Sequence, residues 1–292
     1  MVNRRRILYF TASPRWNGTA KYLQELALHA ARLNFDVALA GEGQGALANR
    51  LGALDIQYFE IRGFPTLFGL LCRLRPHILH TADPRSAVVG GLAFLAYRIL
   101  FLRFDSASIH TVRGWMFGES RGRWGRMMQK MMTRAWCRLF NTIILLSRAD
   151  LQTALEYRLA PKRKWIVIPP GIDPKNTAIL TPDEAREKVL ETECRDRIII
   201  GTIGEFSPVK GHRYLLEAFA SLKYAAHEHA PHRTLPIHLL LIGSGGASGE
   251  LKKKAETLKI ENDVTFVTNA APAHPYLAAF DIFILPSLAS GS

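Results

Sequence analysis

The segment from Arg197 to Ala220, RIIIGTIGEFSPVKGHRYLLEAFA, most constrains what this chain can fold into. Its β-branched run at 198–200 is typical of a fully buried parallel strand, and its last third places apolar side chains at helical spacing. Between the two lie Gly204, Pro208 and Gly211, which favour a tight turn. The segment therefore predicts a strand, a glycine-bearing turn and a helix.

The same turn carries a single lysine, Lys210. Backbone amides at the start of the helix, the positive end of the helix dipole and this ammonium group would converge where a diphosphate could sit. The alternative interpretation is an ordinary strand-to-helix turn with a solvated lysine. The spacing matches neither the dinucleotide pattern GxGxxG nor the P-loop pattern GxxxxGK[ST].

Short apolar runs and helical patterns alternate along the whole chain, which predicts an α/β fold with parallel, doubly wound sheets that bind ligands at the carboxyl ends of their strands. The predicted strands are 7–10, 36–40, 56–61, 78–80, 108–112, 142–146, 165–168, 198–203, 237–242, 264–267 and 281–285. The predicted helices are 20–33, 86–100, 121–140, 211–223, 248–259 and 273–280.

A change in charge and a cluster of proline and glycine residues divide the chain into two predicted domains. Residues 1–172 hold 25 Lys and Arg against 10 Asp and Glu, whereas residues 173–292 hold 13 against 15. Pro169, Pro170 and Gly171 fall at this change, so we predict domains at 1–170 and 171–292 with a linker near 169–180. The basic half favours an anionic partner: a phospholipid surface, a pyrophosphate-linked substrate or nucleic acid.

The predicted helix 121–140 is basic and amphipathic. One face carries Arg123, Arg126, Lys130, Arg134 and Arg138, and the other carries Trp124, Met127, Met128, Met131, Ala135 and Leu139. Such a helix can lie on anionic lipid. The alternative is a core helix with a solvated basic face, and we expect its methionines to fill the core rather than to form a binding site.

Cysteine and apolar content exclude several classes of protein. Cys72, Cys137 and Cys194 are widely spaced and form no CxxC pair, which favours a reduced compartment without a disulfide framework or zinc site. The apolar runs 7–10 and 87–97 are too short for a signal peptide and a membrane-spanning helix respectively. We expect a cytoplasmic protein, and no metal site at the histidines near 227–232.

Nine segments, in order, carry a resemblance to a known family: SPRWNGTAKYLQELA, RPHILHTAD, SIHTVRGWMF, IILLSRAD, KWIVIPPGID, GTIGEFSPVKGHRYLLEAF, LLIGSGG, VTFVTNAA and FDIFILPSL. The chain resembles the retaining glycosyltransferases of family 4, which have the two-domain GT-B architecture. The resemblance implies two Rossmann-like domains, the first on the acceptor side and the second binding a nucleotide sugar. It also implies that the chain moves a sugar from a nucleotide diphosphate sugar to a lipid-linked or saccharide acceptor, as in synthesis of cell-envelope polysaccharide or lipopolysaccharide.

Site residues follow from the same resemblance. Lys210 would hold the donor diphosphate, with Glu205 beside it, and Gly18 would let the first loop approach the donor phosphate or the acceptor. The backbone of Gly204, Gly243, Ser244 and Gly245 would line the nucleotide, and residues 266–268 would face its base. The resemblance implies no metal and no cofactor besides the nucleotide sugar as substrate.

The chain departs from the family pattern in three places. Arg113 stands where the family has a histidine that contacts the transferred sugar, so Arg113 is the candidate for that catalytic position. Glu205 stands where an arginine is frequent. The paired glutamates that grip the donor do not follow FDIFILPSL, which implies a second domain that is incomplete and a chain that truncation could inactivate.

Two other functions fit the same sequence. One is a non-catalytic module that binds a nucleotide sugar or a membrane surface, and the other is a nucleotide-sugar epimerase on the same architecture. Vesicle binding without sugar transfer would favour the first, and conversion of a sugar nucleotide without an acceptor would favour the second. No recognition motif supports nucleic-acid binding.

Overall fold

The computed structural model describes residues 4–12, 18–43, 56–103, 105–115, 123–171, 180–229, 236–270 and 272–288. The chain divides into two compact units between Pro170 and Gly171. Each unit is an α/β structure around its own parallel sheet.

The first unit holds a seven-stranded sheet in the order β3-β2-β1-β4-β5-β6-β7, all parallel. Its described strands are β1 (Arg6–Thr11), β2 (Asp36–Glu42), β3 (Gln57–Ile61), β4 (Ile78–Thr81), β5 (Ala107–Val112), β6 (Thr142–Leu145) and β7 (Trp165–Val167). Its described α-helices are α1 (Gly18–Arg32), α2 (Phe64–Leu74), α3 (Pro84–Leu100), α4 (Arg123–Leu139) and α5 (Arg148–Glu156).

Both faces of this sheet are buried at the central strand β1, whose successive side chains point to opposite sides. On β1, Leu8 and Phe10 pack with α2 and α3, whereas Ile7 and Tyr9 pack with α1. A strand that is apolar on both sides needs helices on both faces, which produces the doubly wound arrangement.

The second unit has four described parallel strands in the order β10-β9-β8-β11. These are β8 (Ile198–Ile203), β9 (Ile237–Ile242), β10 (Val264–Val267) and β11 (Ile282–Phe283), with helices α6 (Pro182–Val189), α7 (His212–His229) and α8 (Ser248–Thr257). The central strand β9 is buried along its whole length. Its Leu239 and Leu241 join the core beneath α7 and α8, and Leu240 and Ile242 join the core beside α6.

The parallel α/β fold is confirmed in both units, with local differences. The predicted helix 273–280 is a 3-10 segment, His274–Ala279, and the predicted strand 281–285 shortens to β11, which pairs only with Ile200 and Gly201. Helix α7 continues to His229 rather than ending at 223. Helices α2, α5 and α6 were not predicted from the sequence, and residues 172–179 of the expected linker lie outside the described residues.

Helix α4 contradicts the expectation for its apolar side. Met127, Met128 and Met131 are 48%, 62% and 58% exposed, and Trp124 is 79% exposed, so these residues do not fill the core. The helix packs instead through a different side, whose buried or half-buried residues are Thr133, Trp136 and Cys137. Amphipathic spacing reveals that two faces exist, but the shape of the sheet surface decides which face packs.

Part of the predicted basic face of α4 is used internally. The Arg134 guanidinium donates two hydrogen bonds, of 3.1 and 2.7 Å, to the Tyr157 carbonyl oxygen at the end of α5. Lys130 Nζ lies 3.7 Å from the centroid of the Tyr157 ring. These two cations therefore attach α4 to α5.

Within the described residues, no helix is long and apolar enough to span a bilayer. In the same residues no group of three His, Cys, Asp or Glu side chains could hold a metal ion. The three cysteines are free; Cys137 and Cys194 are buried and Cys72 is half-buried. His227 and His229 lie in the last turn of α7, and His232 lies outside the described residues.

Candidate functional site

In the second unit, the candidate site is the turn between β8 and α7. A short 3-10 turn, Pro208–Lys210, places Lys210 two residues before the start of the helix. Gly211 has φ of 69°, and its N–H donates to the Pro208 carbonyl over 3.2 Å, so the chain reverses into α7 at a conformation that favours glycine. Lys210 is half-buried at this position. Lys210 and the positive end of the helix therefore lie at the same edge of the sheet.

A second loop packs directly onto this turn. The Gly204 N–H donates to the Ile242 carbonyl over 2.9 Å, and the Phe206 N–H donates to the Ser244 carbonyl over 3.0 Å. A Cβ on Gly243 would overlap the Gly204 carbonyl oxygen, and a Cβ on Gly245 would overlap the Phe206 backbone. Close backbone packing thus explains both glycines.

The structure therefore brings the residues predicted in this unit to one edge. Gly204, Glu205 and Lys210 follow β8, and Gly243, Ser244 and Gly245 follow β9, the strand paired with it. Glu205, Ser244 and Gly245 are exposed. Because carboxyl ends of adjacent parallel strands lie together, this edge forms one backbone-lined surface.

His212 is a feature that the sequence analysis missed. It opens α7, is buried, and packs edge-on against Phe206 with ring centroids 5.2 Å apart. Among the described residues neither of its ring nitrogens has a hydrogen-bond partner, which is rare for a buried polar group. Burial lowers the pKa of His212, and Lys210 lowers it further. Its place two residues after Lys210 was the available signal.

In the first unit, the structure brings Gly18 and Arg113 together. Arg113 follows β5, and its Nη2 atom lies 3.2 Å from the position that a Cβ on Gly18 would occupy. Its guanidinium carbon lies 5.2 Å from the centroid of the Tyr22 ring. Gly18 is the first residue of α1, so a cation faces the positive end of a helix dipole. Such an arrangement suits an anionic ligand.

Hydrogen-bonded pairs of polar side chains on α1, β4 and β5 lie next to this site. The hydroxyl groups of Tyr22 and Thr111 are 3.3 Å apart, and Thr111 Oγ1 lies 2.8 Å from His80 Nε2. Thr81 of β4 and His110 of β5 are paired in the sheet, and Thr81 Oγ1 lies 2.7 Å from His110 Nδ1. Burial lowers the pKa of His80 to about 4 and that of His110 to about 3, so both rings are neutral at pH 7.

Tyr22 was also missed by the sequence analysis, although it lies one helical turn after Gly18 and so shares its face of α1. By contrast, two polar residues noted at strand ends serve the fold. His80 is bonded within the core, and the Ser147 side chain caps α5 by accepting a 3.0 Å hydrogen bond from the Asp150 N–H.

Two units, each built around a parallel sheet with helices, are the architecture that the sequence resemblance to GT-B glycosyltransferases predicted. Comparison with known proteins agrees. Residues 16–176 match the family described as Glycosyltransferase Family 4, and residues 197–292 match the family described as Glycosyl transferases group 1. The chain belongs to glycosyltransferase family 4.

Individual relatives support this assignment. EpsF of Bacillus subtilis strain 168, a protein named as a glycosyltransferase, is 32% identical over 125 residues, which are 43% of this chain and 30% of EpsF. The chain thus matches less than a third of the length of that relative.

Two solved structures show the same fold. Anabaena Alr3699/HepE in complex with UDP-glucose has a TM-score of 0.73 at 17% identity, covering 95% of this chain and 72% of that one. WaaG, a glycosyltransferase involved in lipopolysaccharide biosynthesis, has a TM-score of 0.66 at 14% identity, covering 97% and 75%.

Proposed function

We propose that this chain is the catalytic polypeptide, or part of it, that transfers a sugar from a nucleotide diphosphate sugar to a lipid-linked or saccharide acceptor with retention at the anomeric carbon. The observation that carries the proposal is the edge formed by Lys210, the start of α7 and the glycine loops after β8 and β9. A half-buried cation beside a helix start is suited to a diphosphate. HepE, which shares the fold, was solved with UDP-glucose.

Lys210 acts on the leaving group. When the bond between the sugar and the diphosphate breaks, negative charge grows on the departing nucleotide, and a cation placed beforehand stabilises that charge more than it stabilises the intact donor. Glu205 and Ser244 lie exposed at the same edge and are proposed to contact the donor. The backbone of Gly204, Gly243 and Gly245 forms the floor beneath it. No metal or further cofactor is needed in this proposal.

Arg113 and Gly18 form the second part of the proposal. The guanidinium beside the first residue of α1 supplies a fixed positive site for an anionic group of the donor or of the acceptor. Tyr22 holds the guanidinium through its ring face. The protein is proposed to act in the cytoplasm, at the inner face of the membrane where lipid-linked acceptors are found.

The test is binding of UDP and GDP to the chain, measured by calorimetry, for the native protein, Lys210→Ala and Lys252→Ala. Lys252 is an exposed lysine of α8 and serves as the matched control for loss of charge. A hydrogen bond to a charged group contributes about 1.5–3 kcal/mol, so Lys210→Ala should weaken binding about 10- to 100-fold. Lys252→Ala should leave it unchanged.

Equal weakening by both variants, or no binding to a folded chain, would contradict the donor site. Incubation with UDP-glucose and a lipid extract as acceptor source then separates the functions. Label in the lipid supports transfer, whereas a converted sugar nucleotide without acceptor supports an epimerase. Binding without either product supports a non-catalytic module.

A further inference from the structure

Helix α3 is apolar on its outer side as well as on its inner side. Its inner residues, such as Phe94 and Tyr97, are buried in the core. Its outer residues follow at alternating steps of four and three, which places them in one stripe along the helix. These residues are Val88, Leu92, Leu95 and Ile99, and they are 36%, 46%, 39% and 58% exposed.

Helix α4, which packs beside α3, exposes a second apolar stripe. The two helices meet where Gly91 of α3 approaches Leu139 of α4. The exposed residues of α4 are Trp124, Met127, Met128, Met131 and Met132. Two adjacent stripes of large apolar side chains are more than the single exposed residues that folded surfaces normally carry, and they mark an interaction surface.

The charged side chains of the two helices themselves have one sign. Neither α3 nor α4 contains an Asp or a Glu, whereas Arg98, Arg126 and Arg138 are among their basic residues. Arg85, at the start of α3, pairs with Glu42 of β2. Flexible, polarizable methionines next to basic side chains suit a fluid, anionic partner rather than a rigid one.

A cavity of about 740 Å³ opens at the carboxyl-terminal ends of both helices. Its cationic lining residues are Arg98, Arg138, Arg163 and Lys164, and Leu95 of the α3 stripe lines it too, while no carboxylate does. The Lys164 ammonium is fixed by donating to the carbonyl oxygens of Arg138 and Phe140, over 2.9 and 2.6 Å.

The positive charges of this cavity are close enough to repel one another, which is seen in the pKa of Lys164. Burial lowers the pKa of Lys164; Cys137 opposes that shift, and Arg163 and Arg138 add to it. The Nε atom of Arg98 is buried and has no hydrogen-bond partner among the described residues. A cluster of cations whose cavity is lined by no carboxylate favours an anionic ligand.

We propose that α3, α4 and this cavity form a docking face for anionic phospholipid, with the headgroup phosphate in the cavity and the acyl region against Leu95 and Ile99. Charge complementarity selects this occupant. A second copy seated on the same face would bring one cation cluster against another, which is unfavourable. A free phosphate would leave both apolar stripes in water. Lipid docking on this face is separate from sugar transfer and does not depend on donor binding.

The test is co-sedimentation of the full chain with vesicles of phosphatidylglycerol and phosphatidylethanolamine, compared with phosphatidylcholine alone. We expect binding to the anionic vesicles, weak binding to phosphatidylcholine, and loss of binding in high salt. Arg98→Gln with Arg163→Gln should weaken binding at least 10-fold, because each basic residue contributes about 1 kcal/mol near a charged surface and these two share one site. Arg32→Gln with Arg148→Gln, two exposed arginines of α1 and α5, is the matched control and should weaken it far less.

A second variant tests the stripes. Leu92→Ser with Ile99→Ser changes only exposed positions, so the fold should persist by circular dichroism while vesicle binding falls. Equal binding to neutral vesicles, or equal loss in the control pair, would overturn the headgroup site. A dimer in light scattering that the serine variant dissociates would assign the face to a second copy. UDP binding, measured beside these assays, separates failure of this inference from failure of the donor site.

Discussion

The two units place a cation beside the start of a helix in different ways. In the second unit the cation, the turn and the helix are contiguous in sequence, from Gly204 to His212, and glycines hold the neighbouring loop against them. In the first unit the cation Arg113 follows β5 but faces the start of α1, and buried histidine pairs support it. One site is local and the other is assembled by the fold. The site in the second unit depends on close backbone packing, and the site in the first unit depends on side chains that separate elements bring together.

The largest expected effect in the first unit is the dependence of its stability on pH. An unfolded histidine binds its proton near pH 6.5, but His80 and His110 do so only near pH 4 and 3 in the folded state. Between the folded and the unfolded pKa values the unfolded chain binds more protons than the folded chain. The contribution of these histidines to the free energy of unfolding is therefore fully present above about pH 6.5. It falls as the pH falls, by about 1.4 kcal/mol per pH unit for each histidine.

All five tryptophans precede residue 171, so tryptophan fluorescence during urea unfolding reports the first unit alone. Between about pH 5 and about pH 6.5, His80→Gln should remove one of the two histidine contributions to the slope of unfolding free energy against pH, which is roughly half of their sum. Between about pH 7 and about pH 8, the unfolding free energy of the variant should not depend on pH. An unchanged slope in this variant would show that the buried pair does not titrate as described.

A smaller effect should separate two neighbouring glycines of the second unit. Gly245→Ala forces a Cβ into the Phe206 backbone, whereas Gly246→Ala places one in open space. We expect the first to destabilise the second unit by about 2–3 kcal/mol and the second to change it by less than about 0.5 kcal/mol. Hydrogen exchange of β8 and β9 peptides measures both, and the tryptophan-detected transition should not move. Equal effects of the two substitutions would mean that the loops do not depend on close backbone packing.

The smallest effect concerns the contact between Tyr22 and Arg113. A cation over an aromatic ring contributes about 0.5–1 kcal/mol at a partly exposed site. A double-mutant cycle with Tyr22→Leu and Arg113→Met, followed by tryptophan fluorescence, should give a coupling energy of that size. The pair Arg73 and Phe59, at 5.0 Å, provides an internal comparison elsewhere in the unit. Additive effects of Tyr22→Leu and Arg113→Met would show that the ring does not position the guanidinium.

The sequence alone determined the parallel α/β fold and the strand, turn and helix around Lys210. Buried parallel strands are read from short β-branched runs, and Lys210, Gly204 and the start of α7 are near neighbours along the chain, so their meeting needs only the turn between them. The family assignment likewise depends on motifs whose order is a property of the sequence.

Only the tertiary structure decided which distant residues meet and which faces are covered. Arg113 reaches Gly18 because β1 and β5 both flank β4 in the sheet, a pairing that no local pattern contains. The methionines of α4 were expected in the core, yet Thr133 and Cys137 are buried instead. The spacing of apolar residues identifies the faces that a helix could bury. The surface of the neighbouring elements determines which of these faces is buried.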